Sequence, residues 1–212
     1  MNKLFIQNFL CIFFILSSCT ENTNVRKNVA SELDNKIHVP EFNADSCYSY
    51  IQKQVEFGPR YLSSEGAKNC SKWLIKKLSK IADTLIVQEA NVITYDNKRH
   101  KIKNIIASFH PKKNNRILLM AHWDTRHIAD HDSVRKNKPI LGANDGGSGV
   151  GMLIEIARNI KIKKPKVGID IILFDGEDYG QPENSKFPIM QDSWCLGSQY
   201  WSKNKHRKNY FA

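Results

Sequence analysis

Two short apolar runs constrain this chain most. Arg116–Ala121 (RILLMA) and Val167–Phe174 (VGIDIILF) have the composition of strands buried on both faces. A glycine-rich turn, Gly146-Gly147-Ser148-Gly149, lies between them and opens a helical pattern that runs to about Ile160. Met152, Leu153, Ile156 and Ile160 form its apolar stripe, and Pro165 breaks the chain before the second run. Upstream, a helix is expected over Ala44–Phe57 with Asp45 as its N-cap, and a second over Ser64–Ile81. Thr84–Val92 and Lys101–Phe109 read as strands joined by the Asp96-Asn97 turn, a hairpin. After Phe174 comes a long loop, Asp175–Ser193, and then a last helix over Leu196–Asn204. Apolar strands interleaved with helices predict an α/β fold: a mixed twisted sheet with helices on both faces.

The amino terminus reads as an address. Lys3 precedes the apolar stretch Leu10–Leu16, which falls short of the roughly 20 residues of a membrane-spanning helix. Leu16-Ser17-Ser18-Cys19 resembles a bacterial lipoprotein box, which implies cleavage before Cys19 and its acylation. Residues 1–19 are thus expected to be a signal peptide with lipobox and 20–39 a polar tether. Residues 40–212 form the domain. The expected location is outside the cytoplasm, lipid-anchored in the cell envelope, facing the periplasm or displayed at the cell surface. With Cys19 acylated, the thiols left in the mature chain are Cys47, Cys70 and Cys195, an odd number without metal-type spacing. A domain of this size has no need of a disulfide framework. The net charge of +11 comes from lysines scattered along the chain, with small clusters at Lys161–Lys166 and Lys203–Lys208. There is no arginine-rich stripe or aromatic platform, so nucleic acid is not an expected partner, and a solvated surface near anionic lipid is.

In α/β sheets functional groups gather at the carboxyl ends of strands. Three groups obey that rule: His122 and Asp124 after the first apolar run, Asn144-Asp145 at the turn into the helix, and Glu177-Asp178 after the second run. Carboxylates and imidazoles held at rigid strand ends suit a divalent metal. Each group alone is commonplace; their succession carries the signal. His122 has a structural alternative, a hydrogen bond within the strand-end loop, and Asp124 is a candidate for orienting its neighbours. Trp123, Trp194 and Trp201 read as packing or pocket walls. The glycines do not make a phosphate loop: the Lys-Ser/Thr pair is absent, and Met152 occupies the last glycine place of GxGxxG. Their expected use is close packing of the helix on the sheet and the seating of Asp145.

The runs AHWDTR (Ala121–Arg126), GANDGGSGVGMLIEIAR (Gly142–Arg158) and ILFDGEDYG (Ile172–Gly180) resemble the zinc aminopeptidase superfamily, and within it the bacterial glutaminyl cyclases. FGPR (Phe57–Arg60) and Trp194–Ser198 also look like that branch, and the resemblance extends from about Val55 to the last residue. It implies one zinc ion held by Asp145 and Asp178, with Glu177 as the catalytic acid/base. Peptides or proteins with an N-terminal glutamine would be the partners, besides a membrane reached through the lipid anchor. Glutaminyl-peptide cyclotransfer, forming pyroglutamate with release of ammonia, is the implied activity. The family's third ligand, a histidine, matches no motif here; His127 and His131 are not assigned that role. The chain is therefore expected to be the N-terminal part of a longer protein, weak or inactive in isolation, with the third ligand beyond residue 212. Two alternatives stay open. A zinc aminopeptidase of the same superfamily would use His122 for a second metal, and a lipoprotein remnant would have no activity.

Overall fold

A computed structural model describes residues 39–210. The export signal, Cys19 and the tether up to residue 38 lie outside the described residues. The chain divides into two units, Met1–Val39 and Pro40–Ala212. The second holds helices α1 (Ala44–Glu56), α2 (Glu65–Ser79), α3 (Gly147–Ile162) and α4 (Leu196–Lys203) and strands β1 (Thr84–Ile93), β2 (Arg99–Phe109), β3 (Arg116–His122) and β4 (Gly168–Phe174).

Helix starts follow their capping chemistry. Asn43, not Asp45, caps α1: its side chain accepts from the Ser46 amide at 2.7 Å, leaving Asp45 in the first turn, where its charge suits the helix dipole. Ser64 caps α2 by accepting from the Ala67 amide at 3.0 Å.

The strands form one four-stranded sheet in the order β1-β2-β4-β3. The expected hairpin pairs β1 with β2 antiparallel, from Thr84 opposite Ser108 to Ile93 opposite Arg99. β2 runs antiparallel to β4, and β3 parallel to it, with His122 opposite Phe174. The sheet is therefore mixed, with α3 as the crossover between its parallel strands. Alternation along β2 and β4 splits the core. Ile105, Ala107, Phe109, Ile169, Ile171 and Leu173 pack with α2 and α3, while Ile106, Ile172 and Phe174 pack with Trp201 of α4. Helices thus cover both faces, as expected.

β4 is buried throughout, which its apolar run predicts. β3 is not: it lies at the edge of the sheet among the described residues, half-buried along most of its length, with Met120 53% exposed. Composition alone reads both runs alike, because strand order is a tertiary property. The glycines of α3 also divide their work. A side chain at Gly149 would press on Ala121 of the sheet, whereas one at Gly151 would meet Ile51 and the Cys47 carbonyl of α1 at 2.7 and 3.1 Å. Gly151 therefore serves helix-on-helix packing rather than the expected helix-on-sheet packing.

Candidate metal centre

The parallel pair β3/β4 sends both carboxyl ends to the same end of the domain, and α3 begins there. His122 ends β3, Asp124 follows it, Asp145 precedes α3, and Glu177 and Asp178 follow β4. One ligand atom each from His122, Asp145 and Asp178 falls within 4.8 Å of the others. His122 Nε2 lies 2.8 Å from Asp145 Oδ1, and its Nδ1 lies 3.5 Å from Asp124 Oδ1 and 4.0 Å from Asp178 Oδ2. Gly146 makes the approach possible: a Cβ there would sit 2.3 Å from the His122 carbonyl and 2.8 Å from its ring. The hydrogen bond of His122 therefore runs to Asp145 at the turn into α3, not within the strand-end loop, and joins two members of the metal group.

Asp124 is fully buried and acts on the main chain of its neighbours. Its two carboxylate oxygens accept from the Glu177 amide at 3.1 Å and the Asp178 amide at 3.0 Å. It thereby fixes the backbone that presents both acidic residues. Glu177 is half-buried, and its Oε1 accepts from the Cys195 thiol at 3.2 Å. The Cys195 amide donates to the Glu177 carbonyl at 3.0 Å, so α4 and the loop after β4 are stitched together at this residue.

Electrostatics favour a cation. Burial and the Asp124 charge push Asp178 up to about 7. Burial disfavours a charged His122, but Asp124, Asp178 and Asp145 outweigh it and hold the ring up to about 9. Asp175, fully buried beside Asp124, is pushed well above the carboxylate range. Burial, then the hydrogen bond to Glu177, pushes the Cys195 thiol up to about 11. His122 Nδ1 and Asp178 Oδ2 are buried without a hydrogen-bond partner. Two carboxylates and an imidazole, two of whose polar atoms are unspent, form at one point a donor set that fits a divalent metal.

Sequence reading missed the supports. Arg60 is fully buried, and its guanidinium donates to the carbonyls of Trp123 at 3.0 Å, Leu141 at 2.8 Å and Gly142 at 2.8 Å, while its amide donates to Thr125 Oγ1 at 2.8 Å. It ties together the loops that carry Asp124 and Asp145; the FGPR motif was the visible signal, though not of this role. Arg126 donates to the Asp178 and Gly180 carbonyls at 3.1 Å, pairs with Asp130 and lies 4.4 Å from the ring of half-exposed Trp194. Trp123 and Trp201 are buried packing residues. His127 stacks on Tyr179 with centroids 4.2 Å apart, and burial with the neighbouring Arg126 pushes it down to about 4. Neither His127 nor His131 joins the metal group.

Residues 104–212, half of the chain, match Peptidase family M28. The chain belongs to this family. Among solved M28-like structures, a glutaminyl cyclase from Tannerella forsythia is 50% identical, with a TM-score of 0.77 over 82% of this chain and 60% of that one. A Zn-dependent exopeptidase from Parabacteroides distasonis is 48% identical, with a TM-score of 0.78 over the same shares. A probable leucine aminopeptidase of Trichophyton verrucosum is 31% identical over 106 residues. This M28 chain spans 27% of that fungal relative's length.

Proposed function

We propose that this M28 chain belongs to a zinc-dependent glutaminyl-peptide cyclotransferase, converting an N-terminal glutamine to pyroglutamate with release of ammonia. The observation that carries the reading is its 50% identity to the Tannerella glutaminyl cyclase across four-fifths of the chain. Asp145 and Asp178 would hold the zinc, with His122 beside them. When bound, zinc supplies Lewis acidity toward a carbonyl oxygen.

The chain's own residues supply the rest. Glu177 takes a proton from the substrate α-amine as its nitrogen attacks the side-chain amide carbon. The five-membered ring closes, the bond to the amide nitrogen breaks, and Glu177 returns the proton to the departing ammonia. Nucleophile and electrophile belong to one residue, so the enzyme mainly has to orient them and move the proton. The Cys195 hydrogen bond aims the Glu177 carboxylate, and Asp124 fixes its backbone.

A second reading, a zinc aminopeptidase, is favoured by one observation: His122 lies close enough to Asp145 and Asp178 to serve a second metal. A pair of peptides separates the two. Incubated with zinc-loaded protein extended past residue 212 to include the third ligand that the resemblance implies, a glutamine-initiated peptide is expected to lose ammonia by mass and a leucine-initiated peptide to stay intact. Glu177→Gln is expected to lower the cyclisation rate by about 10²–10⁴-fold. Release of free leucine would replace the first reading with the second, and loss of neither ammonia nor leucine would reject both.

A further inference from the structure

The end of the domain opposite the metal group carries its own signature. Three connections meet there: the one between α2 and β1, the one between β2 and β3, and the one between α3 and β4. Lys80, Lys112, Lys113, Lys161, Lys163, Lys164 and Lys166 all lie on them or on the last turn of α3, and all seven are exposed. They are neighbours in space. Lys112, Lys113 and Lys164 line one groove of about 500 Å³ with His110 and Asp83, and Lys161 and Lys164 line a smaller one beside it. The Lys161 ammonium also donates to the Lys80 carbonyl at 3.1 Å.

Five of these lysines have no carboxylate partner among the described residues. Lys98, Lys101 and Lys103 elsewhere on the surface lie within 4 Å of Asp96 or Glu89. Lys112, Lys113, Lys161, Lys164 and Lys166 form no ion pair among the described residues. The carboxylate of Asp83 in their midst accepts from the His110 amide at 2.8 Å. Ile162, 66% exposed, stands among the lysines as an apolar contact. The metal group is a helix length away, since the 16 residues of α3 span about 24 Å. That exceeds the Debye length of about 8 Å at physiological salt, so the carboxylates of one end do not cancel the lysines of the other.

The course of the chain points the same way. α1 runs antiparallel to α3: Gln54 Nε2 donates to the Gly147 carbonyl near the metal group, while the Asn43 amide donates to Glu155, two turns further along. Residues entering α1 therefore come in from the lysine side. A tether from an acylated Cys19, which the sequence predicts, would keep the domain within reach of a membrane.

We infer that the lysine face docks on anionic phospholipid headgroups, leaving the metal group turned toward solvent where peptides arrive. Clustered lysines with an apolar neighbour are what such a surface attracts. This inference does not depend on which reaction the site performs. The test is co-sedimentation of the full chain with vesicles of phosphatidylcholine alone and of phosphatidylcholine mixed with phosphatidylglycerol. The ratio of the two affinities is the readout, so that apolar segments and acyl chains cancel. The wild type is expected to prefer the anionic vesicles, and K112Q/K113Q/K164Q to lose at least about tenfold of that preference. K136Q/K138Q/K186Q, which removes the same charge from exposed lysines on the loops after β3 and β4, is expected to retain it. Thermal melts check that both variants fold. The inference is overturned if the wild type shows no preference, if both variants lose it equally, or if the lysine face retains a nucleic-acid duplex but not vesicles.

Discussion

At the scale of single residues, Asp124 is the side chain on which the site's geometry converges. Its carboxylate has no other function to perform than to receive two amides and stand 3.5 Å from the His122 ring. Asp124→Asn keeps the shape but turns an amide NH₂ toward backbone N–H donors, so one of the two bonds is lost. Partners of this kind govern ligand orientation, and zinc affinity is expected to fall about 10–100-fold. Titration with a competing zinc indicator, alongside a thermal melt, reads that loss; an unchanged affinity would remove Asp124 from the positioning role. Asp124, His122, Asp145, Glu177 and Asp178 were all legible in the sequence, because strand-end motifs announce themselves by order and spacing. Arg60, Arg126 and Cys195 were not legible as supports. Their roles consist of contacts to main-chain carbonyls or to a neighbour many residues away, which no local pattern encodes.

At the scale of elements, the seam between α1 and α3 is the tightest helix contact. Gly151→Val would drive two methyl groups into Ile51 and the Cys47 carbonyl. Overpacking of this sort costs about 1–3 kcal/mol. Because Gln54 joins α1 to the first residue of α3 and Arg60 follows α1 directly, loosening should spread to the loops of the site. Urea denaturation should show the loss, and hydrogen exchange should show faster opening of α1 than of β4. A variant as stable as the wild type would mean that the seam is slack. Elements themselves were largely readable: pattern and composition located the helices and strands to within about two residues of their observed ends, except that α3 already begins at Gly147, inside the glycine stretch expected to precede it. What they missed is assembly. RILLMA and VGIDIILF look alike, yet among the described residues one is an edge strand and the other is central, and the difference lies in what pairs with them.

At the scale of the whole molecule, Asp170 pins the segment after α4 to the sheet. From the middle of buried β4 it accepts from Arg116 Nε at 3.1 Å, Arg207 Nε at 3.2 Å and Tyr210 Oη at 2.9 Å. Burial opposes its charge, but hydrogen bonds from His206, Arg116, Ser108 and Tyr210 outweigh burial and hold the carboxyl below the usual range. A depressed value means stability that is present above the ordinary carboxylate pKa of about 4 and is lost as pH falls through the folded value. Asp170→Asn should therefore cost about 3–5 kcal/mol at neutral pH, because it leaves Arg116 buried without its counter-charge. In acid unfolding curves the gap between variant and wild type should narrow below about pH 4. A gap independent of pH would show that packing, not charge, is what Asp170 contributes. Arg60 joins α1 to the loops of the site in a comparable way, yet its guanidinium cannot give up its proton and its four hydrogen bonds among the described residues all end on carbonyls. Main-chain hydrogen bonds of Arg60 and Asp124 thus fasten the architecture around His122, Asp145 and Asp178. A metal would then load onto a finished scaffold, and a chelator is expected to leave the thermal melt of the domain unchanged.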